Sequence, residues 1–492
     1  VFSGGLRVQW DNPLSRSGPF DITVPPVASN IWNIDVSQSA GDVAKVFYSG
    51  AEYTFRLGEE GEATDYLLIL FSGGDAGSSS SSYVYTAGPV LEHEVDTSTG
   101  PDPIDSDSES MKRDIQRTMM EVGPLPRDFE KRRMTEYLDM LGREYSGDRE
   151  EKVHIDPVTD PLDKAPQAVI FNVYSDWERS TVDPEAFVQV TGVLAHEGDH
   201  TLLYVDENTP ESCISIAEAG QLGEAFDTNI YQTDRAAFGD ESDINSDGKV
   251  AILLSPVINQ MTPPGTAGTT GFIAGFFLPG DLIPDYMPAG STNGMEIFYT
   301  MVPDPGGIYG NVYEKEPAIE VIRGVLAHEF LHMIMFNYRV LLFGGGISAT
   351  YMSETWVNEG LAHIAEDLNG HEESNIGRGN LFLDDPGSVS LIHGGDELDE
   401  RGAAFLFFRY LGDRFGENVF RSIVQTKEVG ILNIETVTGE PFFELFADWA
   451  AALYLDDMGI TSDPRFEFTS VDLRGDFNPV SYTHLTLPTT PY

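Results

Sequence analysis

Residues 324–337 read Gly-Val-Leu-Ala-His-Glu-Phe-Leu-His-Met-Ile-Met-Phe-Asn and contain the motif His328-Glu329-x-x-His332. Apolar residues surround the motif at helical spacing, and no proline interrupts residues 318–340. Because residues four apart lie on one face of a helix, the two imidazoles can bind one zinc ion while Glu329 serves as a general base. The stretch therefore predicts a buried helix that carries a metal site.

A third metal ligand is needed, because a catalytic zinc site has three protein ligands and one open position. A second helical pattern over 353–368, with Ser353 at its N-cap, supplies carboxylates, and we expect Glu359 to be the ligand. Glu366 lies two turns further along nearly the same face, about 10 Å away, so we expect it neither to bind the metal nor to affect its binding. The other acidic residues of the pattern are Glu354 and Asp367.

The His-Glu-x-x-His sequence at 328–332, followed by Trp-Val-Asn-Glu-Gly-Leu-Ala at 356–362, resembles the gluzincin zinc peptidases. Within that clan the chain is most similar to the hyicolysin family of neutral metallopeptidases, over roughly residues 165–460. The resemblance implies a two-lobed, thermolysin-like α+β domain, zinc as the cofactor, and protein or peptide substrates. It also implies that the downstream Glu359 is the third ligand. Weaker similarities lie at 203–207, 243–253 and 401–411.

A second copy of the motif, His196-Glu197-Gly198-Asp199-His200, stands in a different context. The residues around it are rich in β-branched and aromatic side chains, which predicts a β-hairpin over 187–205. Gly198 would also cost a helix about 1 kcal/mol relative to alanine. We therefore expect His196 and His200 to bind no metal.

The composition excludes several classes of protein. The formal net charge is −51, from 80 acidic and 29 basic residues, so a nucleic-acid-binding role is excluded because phosphate backbones require a positive surface. No run of 18 apolar residues predicts a transmembrane helix. The single cysteine, Cys213, excludes a disulfide framework and a cysteine-based zinc cluster. An acidic, lysine-poor surface is typical of secreted or high-salt proteins, and ordinary solubility explains it equally well.

The 492 residues have room for two or three domains. Residues 1–95 alternate strand-like runs with Gly, Pro and Ser breaks and predict a small β-sandwich, whereas 96–165 are charged and helical, as in a linker or a pro-segment. We expect the zinc metallopeptidase domain over 166–462 and a tail over 463–480. Residues 481–492 resemble the translation of a sequencing-library adapter, the alternative being a disordered tail.

The peptidase region predicts a mixed sheet followed by helices. We expect a helix of about 20 residues after Cys213. Strands are expected at 168–173, 187–205, 250–254, 270–277 and 296–301, and later helices at 400–415, 417–426 and 442–454. An exposed edge strand can bind an extended peptide by strand addition, and residues 297–301, just before the motif helix, are our candidate.

A possible calcium loop lies at 243–248, where Asp243, Asn245 and Asp247 alternate before Gly248. A calcium hand requires Glu at its twelfth position, which is Leu254 here. The pattern is equally typical of an Asp/Asn/Gly turn that only closes a loop. The residues therefore leave open whether calcium binds here as a second metal beside zinc or whether the turn is purely structural.

Several roles in the expected reaction are left open by the residues. The residue that stabilises the oxyanion is His393, Tyr410 or His371, and no motif selects one. His363, one turn after Glu359, either supports the metal ligands or has a purely structural role.

Three functions remain in view. The leading one is a secreted zinc endopeptidase with Glu329 as base, located outside the cell or in the cell envelope, although the given chain, which starts at Val1, contains no signal peptide. The second is a zinc aminopeptidase, for which Glu296 could anchor the substrate amine. The third is a catalytically inactive adhesion relative. The residues select neither a substrate sequence nor an oligomeric state.

Overall fold

The described part of the chain is mixed α+β. The computed structural model describes residues 167–343, 352–392, 397–457, 459 and 461–477, together with 129, 136 and 137 and six short strands before residue 72. Predicted features outside these ranges, which include most of the N-terminal β-sandwich and charged segment, His393 and residues 481–492, lie outside the described residues.

Three antiparallel strand pairs lie before residue 72. The pairs are β1 (Leu6–Arg7) with β6 (Leu70–Phe71), β2 (Arg16–Ser17) with β5 (Ala63–Thr64), and β3 (Phe20–Val24) with β4 (Tyr53–Leu57). The longest pair coincides with runs of alternating β-branched and aromatic residues, as the sequence predicts.

A six-stranded sheet lies at the centre of the described residues from 167 onward. Its strands are β7 (Ala168–Tyr174), β8 (Phe187–Glu197), β9 (Thr201–Asp206), β10 (Val250–Leu254), β11 (Gly275–Phe277) and β12 (Ile297–Thr300), in the order β11-β12-β10-β9-β8-β7. Three of the four inner strands, β9, β10 and β12, are parallel and buried along their whole length, as expected for strands covered on both faces. The predicted hairpin over 187–205 is confirmed as β8 and β9.

The edge of this sheet is not the strand that the sequence suggested. β12 lies inside the sheet, and β11 pairs antiparallel outside it, with Gly275 opposite Thr300. The predicted strand over 270–277 is shortened because residues 267–270 form a helical turn and Gly271 has φ 72°. Gly275 permits a close approach, since a Cβ there would lie 2.5 Å from Val325 Cγ1 and 2.6 Å from the Tyr299 carbonyl oxygen.

Helices cover the sheet and follow it. The α-helices are α1 (Ile216–Ala225), α2 (Tyr231–Ala237), α3 (Pro256–Gln260), α4 (Ala267–Thr270), α5 (Lys315–Phe336), α6 (Thr355–Leu368), α7 (Glu373–Asp384), α8 (Leu398–Phe415), α9 (Asn418–Gln425), α10 (Gly430–Thr438) and α11 (Phe442–Leu455). π-helical turns Phe226–Ile230 and Asn337–Leu342 join α1 to α2 and extend α5. Among the described residues, none of these helices is both long and apolar enough to cross a membrane.

Most predicted helices are confirmed, but the sequence analysis missed the short helices α3 and α4 and the longer helices α7 and α10. α1, its π-helical turn and α2 give the expected long helix after Cys213, and a capping box between Ser215 and Glu218 begins it. The sequence did not predict α7 or α10, because α7 contains two glycines among polar residues and α10 is rich in β-branched residues. Ser353 does not cap α6, whose N-cap position is Glu354.

The chain forms two compact units. One comprises residues 1–104, 379–393 and 440–492, and in it α11 packs against a single helical turn, Pro464–Phe466. The other comprises residues 105–378 and 394–439 and contains the six-stranded sheet, α5, α6 and α8. All residues of the site described next belong to this second unit.

Candidate metal centre

The motif residues lie on α5 where the helix is buried on every side. His328, Glu329 and His332 are 7%, 3% and 3% exposed, and the apolar residues between and around them are fully buried. The predicted buried helix is therefore confirmed. The ring centroids of the two histidines are 4.7 Å apart, so the spacing of four residues brings the imidazoles together on one face.

Glu359 on α6 faces both histidines. Its Oε2 lies 3.5 Å from His328 Nε2, and its Oε1 lies 3.5 Å from His332 Nε2. Two ligand atoms bound to one tetrahedral zinc ion at about 2.0–2.1 Å each are about 3.3 Å apart. The donor types, two imidazole nitrogens and a carboxylate, thus suit zinc, and each of the two nitrogen–oxygen distances is close to this separation.

The other acidic residues near the start and end of α6 face elsewhere. Glu354 Oε2 accepts a hydrogen bond from Trp356 Nε1 at 2.8 Å, and Asp367 Oδ2 pairs with Arg409 Nη1 at 3.0 Å. Both contacts hold the carboxylates away from the histidine pair.

Glu366 contacts His328 although it lies two turns beyond Glu359, which its spacing along the helix did not indicate, and its effect on metal binding stays a prediction. Its Oε1 lies 2.7 Å from His328 Nδ1 and 3.1 Å from His363 Nδ1, and its Oε2 lies 3.2 Å from Arg378 Nη1. Glu366 thus contacts the nitrogen of His328 that does not face Glu359. A carboxylate in this position fixes the tautomer and the ring orientation of a ligating histidine.

The carboxylates of Glu359 and Glu366 create a negative electrostatic potential around His328. Burial disfavours its charged form, but hydrogen bonds and charges from Glu359 and Glu366 outweigh burial and raise the pKa of His328 to about 10. Burial would raise the pKa of both carboxyls, yet the charged neighbours Arg401 and Arg378 and the histidines hold each pKa well below its usual value. Burial and the Arg378 charge lower the pKa of His363 to about 3, so this imidazole is neutral.

Arg401 and Arg378 are site residues that the sequence did not reveal. Arg401 Nη1 on α8 lies 3.2 Å from Glu359 Oε2, and both arginines line the cleft beside the motif. Arg401 begins a segment quoted above for its resemblance, but a lone arginine at a helix start is ordinarily a solvated residue. Only the packing of α8 against α6 brings its charge to the carboxylate.

Glu329 connects the motif to the edge strand. Its Oε2 accepts a hydrogen bond from the Phe277 backbone N–H at 2.8 Å, at the end of β11. Its carboxylate also comes within 4.8 Å of the ligand atoms of His328 and His332. Glu329 and Glu359 therefore both face the histidine pair, but Glu329 also bonds the strand backbone, whereas Glu359 presents a separate oxygen to each imidazole.

Two of the three oxyanion candidates are described. His371 lines the cleft, and a Cβ on the neighbouring Gly324 of α5 would lie 3.8 Å from its Cβ. Tyr410 is buried in α8, where its hydroxyl accepts a hydrogen bond from Arg414 at 2.8 Å. His393 lies outside the described residues.

The second copy of the motif forms a turn, as the sequence predicts. Gly198 N–H donates to the Thr201 carbonyl to close it, and Asp227 accepts hydrogen bonds from the backbone of Asp199 and His200. The His200 ring stacks on Tyr231 at 4.2 Å. In the part of the chain that the structure describes, two sets of His and acidic residues have ligand atoms that all lie within 4.8 Å of one another, namely His328-Glu329-His332 and His328-His363-Glu366, and neither set includes His196 or His200.

Glu296 does not line the cleft beside the motif, where an anchor for a substrate amine would be needed. Its Oε1 accepts hydrogen bonds from Ser242 Oγ at 2.6 Å and from Ile244 N–H at 2.9 Å, beside the loop that contains Asp243. The cleft next to the motif is lined instead by residues of α5 and of the segment that leads into β11. The structure therefore gives no support to Glu296 as an amine anchor, and the aminopeptidase alternative stays a prediction.

Comparison with known proteins relates the chain to a metalloprotease. No family model matches the chain. The chain is 26% identical over 242 residues to the neutral metalloprotease ShpI of Staphylococcus hyicus, a match that covers 47% of this chain and 50% of that protein. The chain thus spans about half the length of this relative. The similarity and the buried His/Glu cluster together support a relationship to metalloproteases.

Proposed function

We propose that this chain is a zinc-dependent endopeptidase in which His328, His332 and Glu359 hold the metal and Glu329 is the general base. The observation that carries the proposal is the 3.5 Å spacing of Glu359 oxygens from both Nε2 atoms, close to the separation of two ligands on a tetrahedral zinc ion. Two nitrogen donors favour zinc over calcium and magnesium, which prefer oxygen ligands.

Zinc held there would supply Lewis-acid polarisation of the scissile carbonyl and a lowered pKa for water. Glu329 accepts a proton from the attacking water and later delivers it to the leaving amine nitrogen, so one water is consumed and one peptide bond is broken. Its hydrogen bond to Phe277 N–H fixes the carboxylate beside the edge strand. Arg401 and His371 line the same cleft and are the described groups best placed to stabilise the developing oxyanion.

The edge strand β11 supports an extended substrate. A sheet edge can bind a peptide through main-chain hydrogen bonds, and β11 is the outermost strand on this side of the sheet, with Gly275 more accessible than the buried Phe276 and Phe277. This binding requires no free terminus on the substrate, which favours cleavage of internal bonds. An inactive adhesion relative, in contrast, would have no need of Glu329.

Secretion and the two-lobed gluzincin arrangement belong to the same proposal. The acidic, lysine-poor composition is compatible with an extracellular location. The resemblance at 328–332 and 356–362 supports the two-lobed arrangement of the gluzincins.

The substitution Glu329→Gln tests the proposal. We expect the variant to retain one zinc per chain but to lose hydrolysis of an internally quenched, N-blocked peptide by at least about a thousandfold, because the amide cannot accept the proton. Metal content by atomic emission and turnover by fluorescence are the measurements. Turnover within tenfold of the native protein would remove Glu329 from the mechanism. Native protein without zinc, or without activity on the blocked peptide, would refute the proposed function.

A further inference from the structure

The charged segment that precedes the sheet contributes buried residues to the unit that contains the motif. Phe129 and Tyr137 are 3% and 0% exposed. Glu136 Oε2 accepts hydrogen bonds from the backbone N–H and the hydroxyl of Thr181, at 2.7 Å and 2.9 Å. A Cβ on Gly280, just after β11, would lie 2.8 Å from the Tyr137 ring. These residues of the segment are therefore packed into the unit, as residues of a free linker would not be.

Phe129 lies between an aromatic cluster and the cleft beside the motif. Its ring centroid is 5.2 Å from that of Phe276 on β11 and 6.1 Å from that of Tyr174 on β7. Phe129 also lines the cleft that His328 and Glu329 line. One residue of the charged segment thus belongs both to the packing around the sheet and to the wall of the proposed active site.

The cleft has an apolar wall and a charged wall. Charged residues of α5 and α7 line one part of it. The apolar residues that line it are Phe129, Phe272, Ile273, Ala274, Val321 and Val325. Apolar walls of this kind bind a ligand by burying its apolar surface, while a few polar groups orient it. A peptide beside Glu329 would therefore place an apolar side chain against the wall that includes Phe129.

We propose that Phe129 determines the size of the substrate side chain that enters this cleft, and that the peptidase unit therefore extends back to include Phe129. The inference rests on the proposed peptidase function and deepens it. Because protein interiors are closely packed, a large aromatic side chain of a substrate has to compete with the Phe129 ring for space, whereas a smaller apolar side chain packs beside the ring.

A pro-segment that blocks the cleft is the alternative role for Phe129. Such a segment hinders all peptides alike, because it has to leave before any of them binds. A residue of the wall instead affects peptides differently according to the size of their side chains. The contacts favour the wall, because removal of Phe129 and Tyr137 would expose apolar surface around β7 and β11 to water.

Two substitutions of Phe129 test the proposal through their opposite effects on selectivity. Mass spectrometry of an N-blocked peptide library gives the cleavage preference at each position around the scissile bond. Phe129→Leu should increase kcat/KM for tryptophan relative to leucine at one such position by about tenfold, and Phe129→Trp should decrease it, because small changes of volume in an apolar pocket have effects of this size. Either folded variant alone is sufficient, since each predicts a shift of definite sign.

Phe171→Leu is the matched control. Phe171 is 1% exposed on β7, stacks on Tyr204 at 5.2 Å, and is not among the described residues that line the cleft. The control should change the tryptophan-to-leucine preference by less than about twofold. Equal acceleration of all peptides by Phe129→Leu would identify a blocking pro-segment and overturn the proposal. An unchanged preference in a folded Phe129 variant would also overturn it.

Peptide binding in the Glu329→Gln background separates this inference from the proposed function. The probes are acetylated and amidated hexapeptides with leucine or tryptophan at each central position, and calorimetry gives their dissociation constants. If the native protein hydrolyses no peptide but Phe129→Leu shifts binding towards tryptophan, the proposed function fails and the role of Phe129 stands. If peptides are hydrolysed and neither preference shifts, only the inference fails. If no peptide binds, both fail.

Discussion

At the scale of single residues, the site depends on which nitrogen of His328 each carboxylate contacts. Glu359 faces Nε2 at 3.5 Å, whereas Glu366 faces Nδ1 at 2.7 Å. The two carboxylates are seven residues apart on one helix and therefore lie on nearly the same face. We infer that Glu359 binds the metal beside His328, whereas Glu366 orients the His328 ring. Arg378 and His363 hold Glu366 in place.

Replacing each carboxylate separates these two roles. Glu359→Ala should abolish activity and weaken zinc binding by more than about a thousandfold, because it removes a ligand. Glu366→Ala should weaken zinc binding by about 10–100-fold, the usual loss when a partner of a ligating histidine is removed. Zinc dissociation constants from chelator competition, measured beside turnover, give both numbers.

A conservative variant and a control sharpen this test. Glu366→Gln keeps an acceptor for His328 Nδ1 and should restore part of the zinc affinity lost in Glu366→Ala. Glu354→Gln changes a carboxylate that bonds Trp356 on the same helix and should leave zinc affinity unchanged. If Glu366→Ala bound zinc as tightly as the native protein, Glu366 would have no orienting role.

At the scale of elements, the closeness of α6 and α8 depends on a glycine. A Cβ on Gly360 would overlap the Phe408 ring, with Phe408 Cε2 at 2.6 Å and Ala404 Cβ at 3.2 Å. Gly360 immediately follows Glu359, and Arg401 on α8 contacts Glu359. The contact between α6 and α8 thus determines both the packing of the core around Phe408 and the position of Glu359, the proposed metal ligand.

Gly360→Ala and Gly324→Ala form a matched pair in buried helices. The first should destabilise the protein by about 1–3 kcal/mol through overpacking, which outweighs the helix-propensity gain of about 1 kcal/mol. In Gly324→Ala the nearest atom to the new Cβ is His371 Cβ at 3.8 Å, which is an ordinary contact. Gly324→Ala should therefore stabilise the protein through the higher helix propensity of alanine. Urea denaturation in the presence of a chelator, with Glu329→Gln as the common background, measures both. The same sign of change for both variants would contradict the packing argument.

The sequence predicted the elements whose signals are local. The apolar period around His328 and the β-branched run around His196 were each sufficient to assign a helix and a hairpin correctly. The order of strands was not predictable in the same way, because β11 joins the sheet through pairing with a strand more than twenty residues later in the chain. Arg401 and Glu366 were missed for the same reason, since their roles arise only from contacts between helices.

At the scale of the whole molecule, the charge of −51 is the dominant property. Ion pairs can neutralise only some of the acidic side chains, because the chain has 80 acidic residues and only 29 basic ones. The unpaired negative charges repel one another more strongly in the folded state, because they are closer together there than in the expanded unfolded chain. Stability is therefore expected to depend on screening by salt.

Raising sodium chloride from about 0.05 M to about 1 M should increase the melting temperature, because the Debye length falls from more than 10 Å to about 3 Å and the repulsion is screened. Ion pairs such as Arg409 with Asp367 are weakened by the same salt, but Arg409 is only 6% exposed, so screening of this pair is small. Scanning calorimetry on Glu329→Gln avoids self-digestion, and sucrose at matched osmolality controls for solvent effects. A melting temperature that stays constant or falls with salt would show that attractive pairs outweigh the net repulsion.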